Sequence, residues 1–244
     1  MSATIIGVVS PRSDDSLPDG ASMYPDVKFI ARGVGVKALT PEGYDGAWDA
    51  IVPAAVELAK QGATAILVHG ASLTFYRGPE AHEKLLADVR AATGLPAITM
   101  SAAMVDAMRH LGVNDIGVCT AYSDEVNNRL RDFLGASGFN VLALEGFDIR
   151  EFGAASKKSD EDIVELAGKV RAEAPGAESL LISCGGLRTL EAGKRVEEKH
   201  GVPVVSSTES AYWAAVRMVG ESGRYPGYGK LLESREPAVS GTDH

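Results

Sequence analysis

Short apolar runs recur along the chain and alternate with longer stretches of helical periodicity. The runs cover residues 5–9, 63–68, 97–100, 115–119, 140–144, 179–183 and 204–206. Each is close to continuously hydrophobic rather than alternating, the pattern of strands buried on both faces of a parallel sheet. Between them the apolar positions repeat at helical spacing over 44–61, 80–93, 101–110, 125–134, 160–173, 187–200 and 210–218. Pro53 interrupts the first of these, so that helix starts nearer Thr40 or kinks. Ser159 or Asp160 serves as N-cap of the 160–173 helix. Strands alternating with helices predict an α/β protein.

The pattern runs twice. Gly94-Leu95-Pro96-Ala97-Ile98-Thr99 matches Gly201-Val202-Pro203-Val204-Val205-Ser206, and a helix follows each. One step upstream, Ala65-Ile66-Leu67-Val68-His69-Gly70 matches Leu180-Leu181-Ile182-Ser183-Cys184-Gly185. The opening strands match as well. The expected architecture is therefore two pseudo-symmetric Rossmann-like lobes, each a mostly parallel sheet flanked by helices, with an active site in the cleft between them. The expected limits are 1–113 plus about 212–233 for the first lobe and 114–211 for the second, with a polar, frayed tail over 234–244. Ser10-Pro11, Gly70-Ala71-Ser72, Tyr122 and Cys184-Gly185-Gly186 should converge on the cleft.

Composition narrows the partners. Asp and Glu number 33 against 24 Lys and Arg, a net charge of −9, which argues against nucleic acid. A small anionic substrate remains open, because a site can be locally positive in an acidic protein. Two cysteines make no disulfide framework in 244 residues. No stretch reaches the roughly 20 apolar residues of a membrane helix, and no basic segment precedes the first apolar run. The expectation is a soluble cytoplasmic protein with no membrane partner; the oligomeric state is left open, with a monomer compatible.

The chemistry centres on Cys184. It ends an apolar strand, two glycines follow, and a helix is predicted from 187. Such a turn lifts a side chain to the carboxyl end of a sheet, turns free N–H groups toward a ligand and, through the helix dipole, favours thiolate. The competing reading is a buried, inert cysteine; Cys119, inside an apolar strand, fits that one. Gly33 and Gly35 form no complete dinucleotide fingerprint. Ser72 has no evident His–Asp partners for a hydrolase triad. His69 has no second ligand at metal spacing, so a local hydrogen-bonding role is expected. His82, His110 and His200 are expected on the surface or satisfied, and Lys37 and Arg32 as solvated charges. The loop from Arg12 to Asp26 is long enough to be functional.

The duplicated layout with a thiol at a strand end resembles the aspartate/glutamate racemase superfamily. Within it the chain is most similar to the arylmalonate decarboxylases. The similarity is carried by Asp19-Gly20-Ala21 with Tyr24-Pro25-Asp26, Thr40 to Tyr44, Ser72 to Gly78, Thr120-Ala121-Tyr122, Ser183 to Leu190, Gly201 to Ser207 and Pro226 to Gly229. Racemases and maleate isomerase carry one thiol per lobe; here the first-lobe position is Gly70. The resemblance implies a cofactor-independent, metal-free carboxy-lyase acting on a small carboxylic acid, a disubstituted malonate. Cys184 would protonate an enediolate held by Ser72, Tyr122 and backbone N–H groups near Ser72 and Gly185. Substrate contacts would come from Ser10, Pro11, Val36, Leu39, Tyr44, Gly70, Ala71, Leu73, Gly185 and Gly186. Ala71 departs from the pattern, which has a hydroxyl residue there. Two other functions stay open: a racemase or cis–trans isomerase pairing Cys184 with a non-thiol partner such as His69, and a two-lobed binding protein.

Overall fold

The computed structural model describes residues 4–234. Of the tail expected from 234 onward, only Ser234 falls among them, and its Oγ lies 2.6 Å from His110 Nε2. Two four-stranded sheets, all parallel, organise the chain. The first has the order β2-β1-β3-β4, from β1 (Ile5–Ser10), β2 (Lys28–Gly33), β3 (Ala65–Val68) and β4 (Ala97–Thr99). The second repeats it as β6-β5-β7-β8, from β5 (Asp115–Thr120), β6 (Asn140–Gly146), β7 (Ser179–Ser183) and β8 (Val204–Ser206). The inner strands β1, β3, β5 and β7 are buried almost throughout, as their continuous apolar sequences require. β2 is an edge strand, half-buried, and its mixed Lys28-Phe29-Ile30-Ala31-Arg32-Gly33 sequence explains why the hydrophobic pattern does not reveal it.

The helical region expected over 44–61 is two helices, α1 (Pro41–Trp48) and α2 (Ile51–Lys60). The Thr40 side chain caps α1 by accepting from Gly43 N at 3.3 Å, and Pro41 takes the first position. Pro53 sits in the first turn of α2, where no intrahelical donor is lost. The remaining helices are α3 (Ala71–Phe75), α4 (Pro79–Thr93), α5 (Met100–His110), α6 (Asp124–Ala136), α7 (Asp160–Glu173), α8 (Leu190–His200), α9 (Ser207–Met218) and α10 (Lys230–Glu233). Ser159 caps α7 as expected, in a capping box: its Oγ accepts from Asp162 N at 3.1 Å, and its own N–H donates to the Asp162 carboxylate at 2.9 Å.

Helices α5 and α9 pack on each other and both touch strands of both sheets, so they join the lobes. An aromatic cluster adds a second seam. Phe75 of α3 meets Tyr122 edge-on at 5.8 Å and Phe133 of α6 at 6.2 Å. Fully buried rings of this kind contribute on the order of 1.5–3 kcal/mol each, enough to hold the two sheets' carboxyl ends in a fixed relation. Cys119 is buried in β5, its thiol pushed up to about 12 by burial, which fits the inert role. His82 is satisfied by Thr99 Oγ1 at 2.6 Å. His200 Nε2 is buried without a partner, against expectation. Among the described residues no helix is long and apolar enough to cross a membrane.

Candidate active site

The equivalent strands β3 and β7 each end in a tight turn facing the same space. After Val68 come His69 and Gly70, then α3. Gly70 has φ +108°, a conformation costly for any residue with a Cβ. The first lobe can therefore present the start of α3, with Ala71 and Ser72, but no relaxed side chain at position 70. After Ser183 come Cys184, Gly185 and Gly186, closed by Leu187 N donating to Cys184 O at 3.0 Å.

The helix after Cys184 starts at Leu190 rather than 187. The dipole argument for a thiolate thus loses its helix. The Cys184 Sγ instead accepts from Gly186 N at 3.4 Å within the turn. Burial raises the thiol above its ordinary range and outweighs the lowering by the Gly186 and Leu187 N–H groups and the Tyr122 hydroxyl. The group is a protonated thiol at neutral pH. Its backbone is pinned from behind, Cys184 N donating to Ser207 Oγ at 3.1 Å.

Tyr122 follows β5, with its N–H on Thr120 Oγ1 at 3.1 Å and its hydroxyl 3.4 Å from Ser183 Oγ. Burial keeps the phenol protonated, and both Cys184 and Ser72 are close enough to bear on its ionisation. On the other side the β1–β2 ladder continues past the strands: Val34 N donates to Ser10 O, Gly35 N to Arg12 O and Val36 N to Pro11 O, at 2.8–2.9 Å. This brings Val36 alongside Pro11. Leu39 N then donates to Arg150 O at 2.8 Å, drawing the 150–156 connection over the same space.

The result is a cavity of about 260 Å³. Ser10, Pro11, Val36, Leu39, Tyr44, Gly70, Ala71, Ser72, Leu73, Cys184, Gly185 and Gly186 all line it. Tyr122 is not a lining residue; it stands behind Ser72 and Cys184. Arg12, Pro18, Asp19, Phe152, Gly153, Ala155, Ser156 and Arg188 also line the cavity, though the sequence does not single them out for it; so does His69, the candidate non-thiol partner of Cys184. The length of the 12–26 loop signals the first three. Phe152 to Ser156 lie on the irregular connection after β6, at the carboxyl edge where parallel sheets bind ligands; no periodicity marks them. Arg32 faces elsewhere, paired with Asp15 at 3.0 Å and Glu57 at 2.6 Å, and Lys37 is exposed outside the lining.

His69 departs from expectation. It is 2% exposed and neither ring nitrogen has a hydrogen-bond partner. Burial first, then the Arg12 charge, drives its pKa down to about 3. It is a neutral imidazole wedged beside Gly185, where an added Cβ would lie 2.8 Å from His69 Cε1. Among the described residues no three His, Cys, Asp or Glu side chains gather as a metal site would need.

One cavity thus holds one thiol, with a glycine in the equivalent place on the other lobe. The family model for arylmalonate decarboxylase matches residues 6–232. The chain belongs to the arylmalonate decarboxylase family. Arylmalonate decarboxylase of Bordetella bronchiseptica is 41% identical over 234 residues, 95% of this chain and 98% of that one. A liganded mutant of arylmalonate decarboxylase superposes with a TM-score of 0.92 at 39% identity, covering 95% and 99% of the two chains. Maleate cis–trans isomerase of Nocardia farcinica, with a covalently bound succinylcysteine intermediate, superposes at 0.87 over 95% and 98% with 18% identity, a likeness of fold. Membership of the arylmalonate decarboxylase family makes the chain a carboxy-lyase on the racemase-like α/β fold.

Proposed function

We propose that the chain decarboxylates a disubstituted malonate bearing an aryl group, without a cofactor, through an enediolate that Cys184 protonates on one face. The observation that carries this reading is the single protonated thiol of Cys184 opposite Gly70 in the shared cavity. The relatedness to arylmalonate decarboxylase at 41% identity supports the substrate class.

Two walls divide the work. One carboxylate of the malonate rests on Ser72 and the N–H groups of the turns at Ser72 and Gly185, with Tyr122 behind Ser72 rather than in the cavity lining. The other lies against Val36, Leu39 and Leu73, with Phe152 and Ala155 closing that side, while the buried, unpartnered Tyr44 hydroxyl falls on the Ser72 side. An apolar wall offers a carboxylate no hydrogen bonds, so losing it as neutral CO₂ is favoured there. The electrons of the broken C–C bond pass into the retained carboxylate, giving the enediolate. Each preorganised donor to that charge is worth on the order of 3–4 kcal/mol. Tyr122, kept protonated by burial, supports Ser72 and Cys184 from behind instead of donating to the substrate itself.

The Cys184 proton then passes to the α-carbon, and the thiolate left behind recovers a proton from solvent. A racemase needs a second group to remove a proton from the opposite face. Gly70 has none, and His69 at a pKa of about 3 is a feeble base. Turnover in D₂O tests the reading: the monoacid product should carry one deuterium at the α-carbon and one handedness. Racemic product, or deuterium exchange into a chiral acid without CO₂ loss, would overturn it.

A further inference from the structure

Two arginines, Arg12 and Arg188, line the cavity, and the Arg12 charge is near enough to bear on His69. In a chain of net charge −9 the lining nevertheless carries one positive charge in excess, since Asp19 is its one acidic side chain among the described residues. Arg12 lies 3.7 Å from Asp14, both side chains exposed, a geometry that ties up little of its charge. Arg188 is exposed and has no ion pair or hydrogen bond among the described residues. His69 adds no charge over the physiological range, so the positive field here is the arginines' own.

The reading above, on which this inference rests, leaves these groups unused. The retained carboxylate has its donors, and the departing one needs an apolar wall that an arginine would spoil. Arg12 and Arg188 line the cavity and are both exposed to solvent, which puts them where an arm of the substrate extending toward solvent would reach. We infer that Arg12 and Arg188 select malonates whose α-substituent carries a further anionic group, a carboxylate foremost. A guanidinium fork matches a carboxylate with two parallel hydrogen bonds. Stacking of a neutral ring on a guanidinium, or indiscriminate attraction of any malonate, would leave a different signature.

The test compares 2-methyl-2-phenylmalonate with its 4-carboxyphenyl analogue in the native protein, Arg188→Leu, Arg12→Gln and the double variant. Calorimetric binding of phenylacetate and 4-carboxyphenylacetate runs beside it as a measure free of turnover. The native enzyme should favour the carboxylated malonate in kcat/KM by about fivefold or more, as expected of a partly exposed ion pair. Each substitution should shrink that ratio through KM, and the double variant should remove it. An equal or reversed native preference, a ratio that survives both substitutions, or equal weakening of both substrates would overturn the inference. If neither malonate turns over but the carboxylated acid binds better in an arginine-dependent way, the subsite stands and the decarboxylase reading falls.

Discussion

The backbone N–H of Cys184 donates to Ser207 Oγ at 3.1 Å, tying the thiol-bearing turn of the second lobe to the first residue of α9. Helix α9 in turn packs on α5 and on both sheets, so the hydroxyl couples the position of the thiol to the packing of the lobes. Ser207→Ala would leave a buried N–H without its acceptor, at a cost of about 1–3 kcal/mol. Denaturant unfolding should register that loss. kcat should fall about three- to tenfold because the thiol is less well aimed, with KM little changed. An unaltered kcat would remove Ser207 from the positioning of Cys184.

The pH–rate profile follows from the state of the thiol. Burial raises the Cys184 pKa above its usual value of 9.0. An acid of that kind delivers a proton at all pH values below its pKa and loses activity as pH climbs through it. kcat should therefore stay level across neutral pH and decline only in the alkaline range above 9.0. A decline already centred near neutrality would show a thiol activated as thiolate, contrary to this account.

His69 imposes an acid liability. Its folded pKa is about 3 against an ordinary 6.5, so between those values the unfolded chain binds a proton that the folded chain refuses. Stability is lost as pH falls from about 6.5, on the order of 3 kcal/mol by pH 4 from this residue. His82, lowered to about 4 by burial, acts in the same direction. His69→Leu should flatten the fall of thermal stability between pH 6.5 and 4, while His82 keeps a residual slope. Equal slopes in the native protein and the variant would mean that His69 finds a partner in solution.

Gly185 and His69 should be energetically coupled. A Cβ at Gly185 meets His69 Cε1 at 2.8 Å and the Met100 terminal carbon at 3.3 Å. Gly185→Ala is expected to destabilise by about 1–3 kcal/mol, the usual cost of overpacking. In a His69→Ala background that cost should shrink by at least about 0.5 kcal/mol. Additive effects in the double-mutant cycle would place the strain elsewhere.

The legibility of the chain tracks how local each signal is. Cys184 and Gly70 stand at matching strand ends, and burial on both faces writes such strands as unbroken apolar runs, so the duplicated architecture could be read from the residues. The edge strand Lys28–Gly33 could not, because a half-buried edge position admits Lys28 and Arg32 and so breaks the apolar run. Phe152 and Ala155 lie on a connection held by long-range backbone bonds, Leu39 N to Arg150 O and Ile149 N to Ala121 O among them, which leave no trace in periodicity. Helix α8 begins three residues later than the apolar spacing predicts, because Leu187 continues that spacing while its N–H closes the turn on Cys184 instead. A hydrogen-bonding role for His69 follows from the lack of a second ligand at metal spacing, but spacing carries nothing about its surroundings; its isolation comes from Gly185 and Tyr212 packing around it.

The most direct test of the central claim is CO₂ release from 2-methyl-2-phenylmalonate by the native protein and by Cys184→Ala, with folding of the variant checked by circular dichroism. The account predicts turnover by the native protein and a loss of at least about 100-fold in the variant, the scale of a missing general acid. Turnover of equal rate and equal product handedness in the folded variant would contradict it.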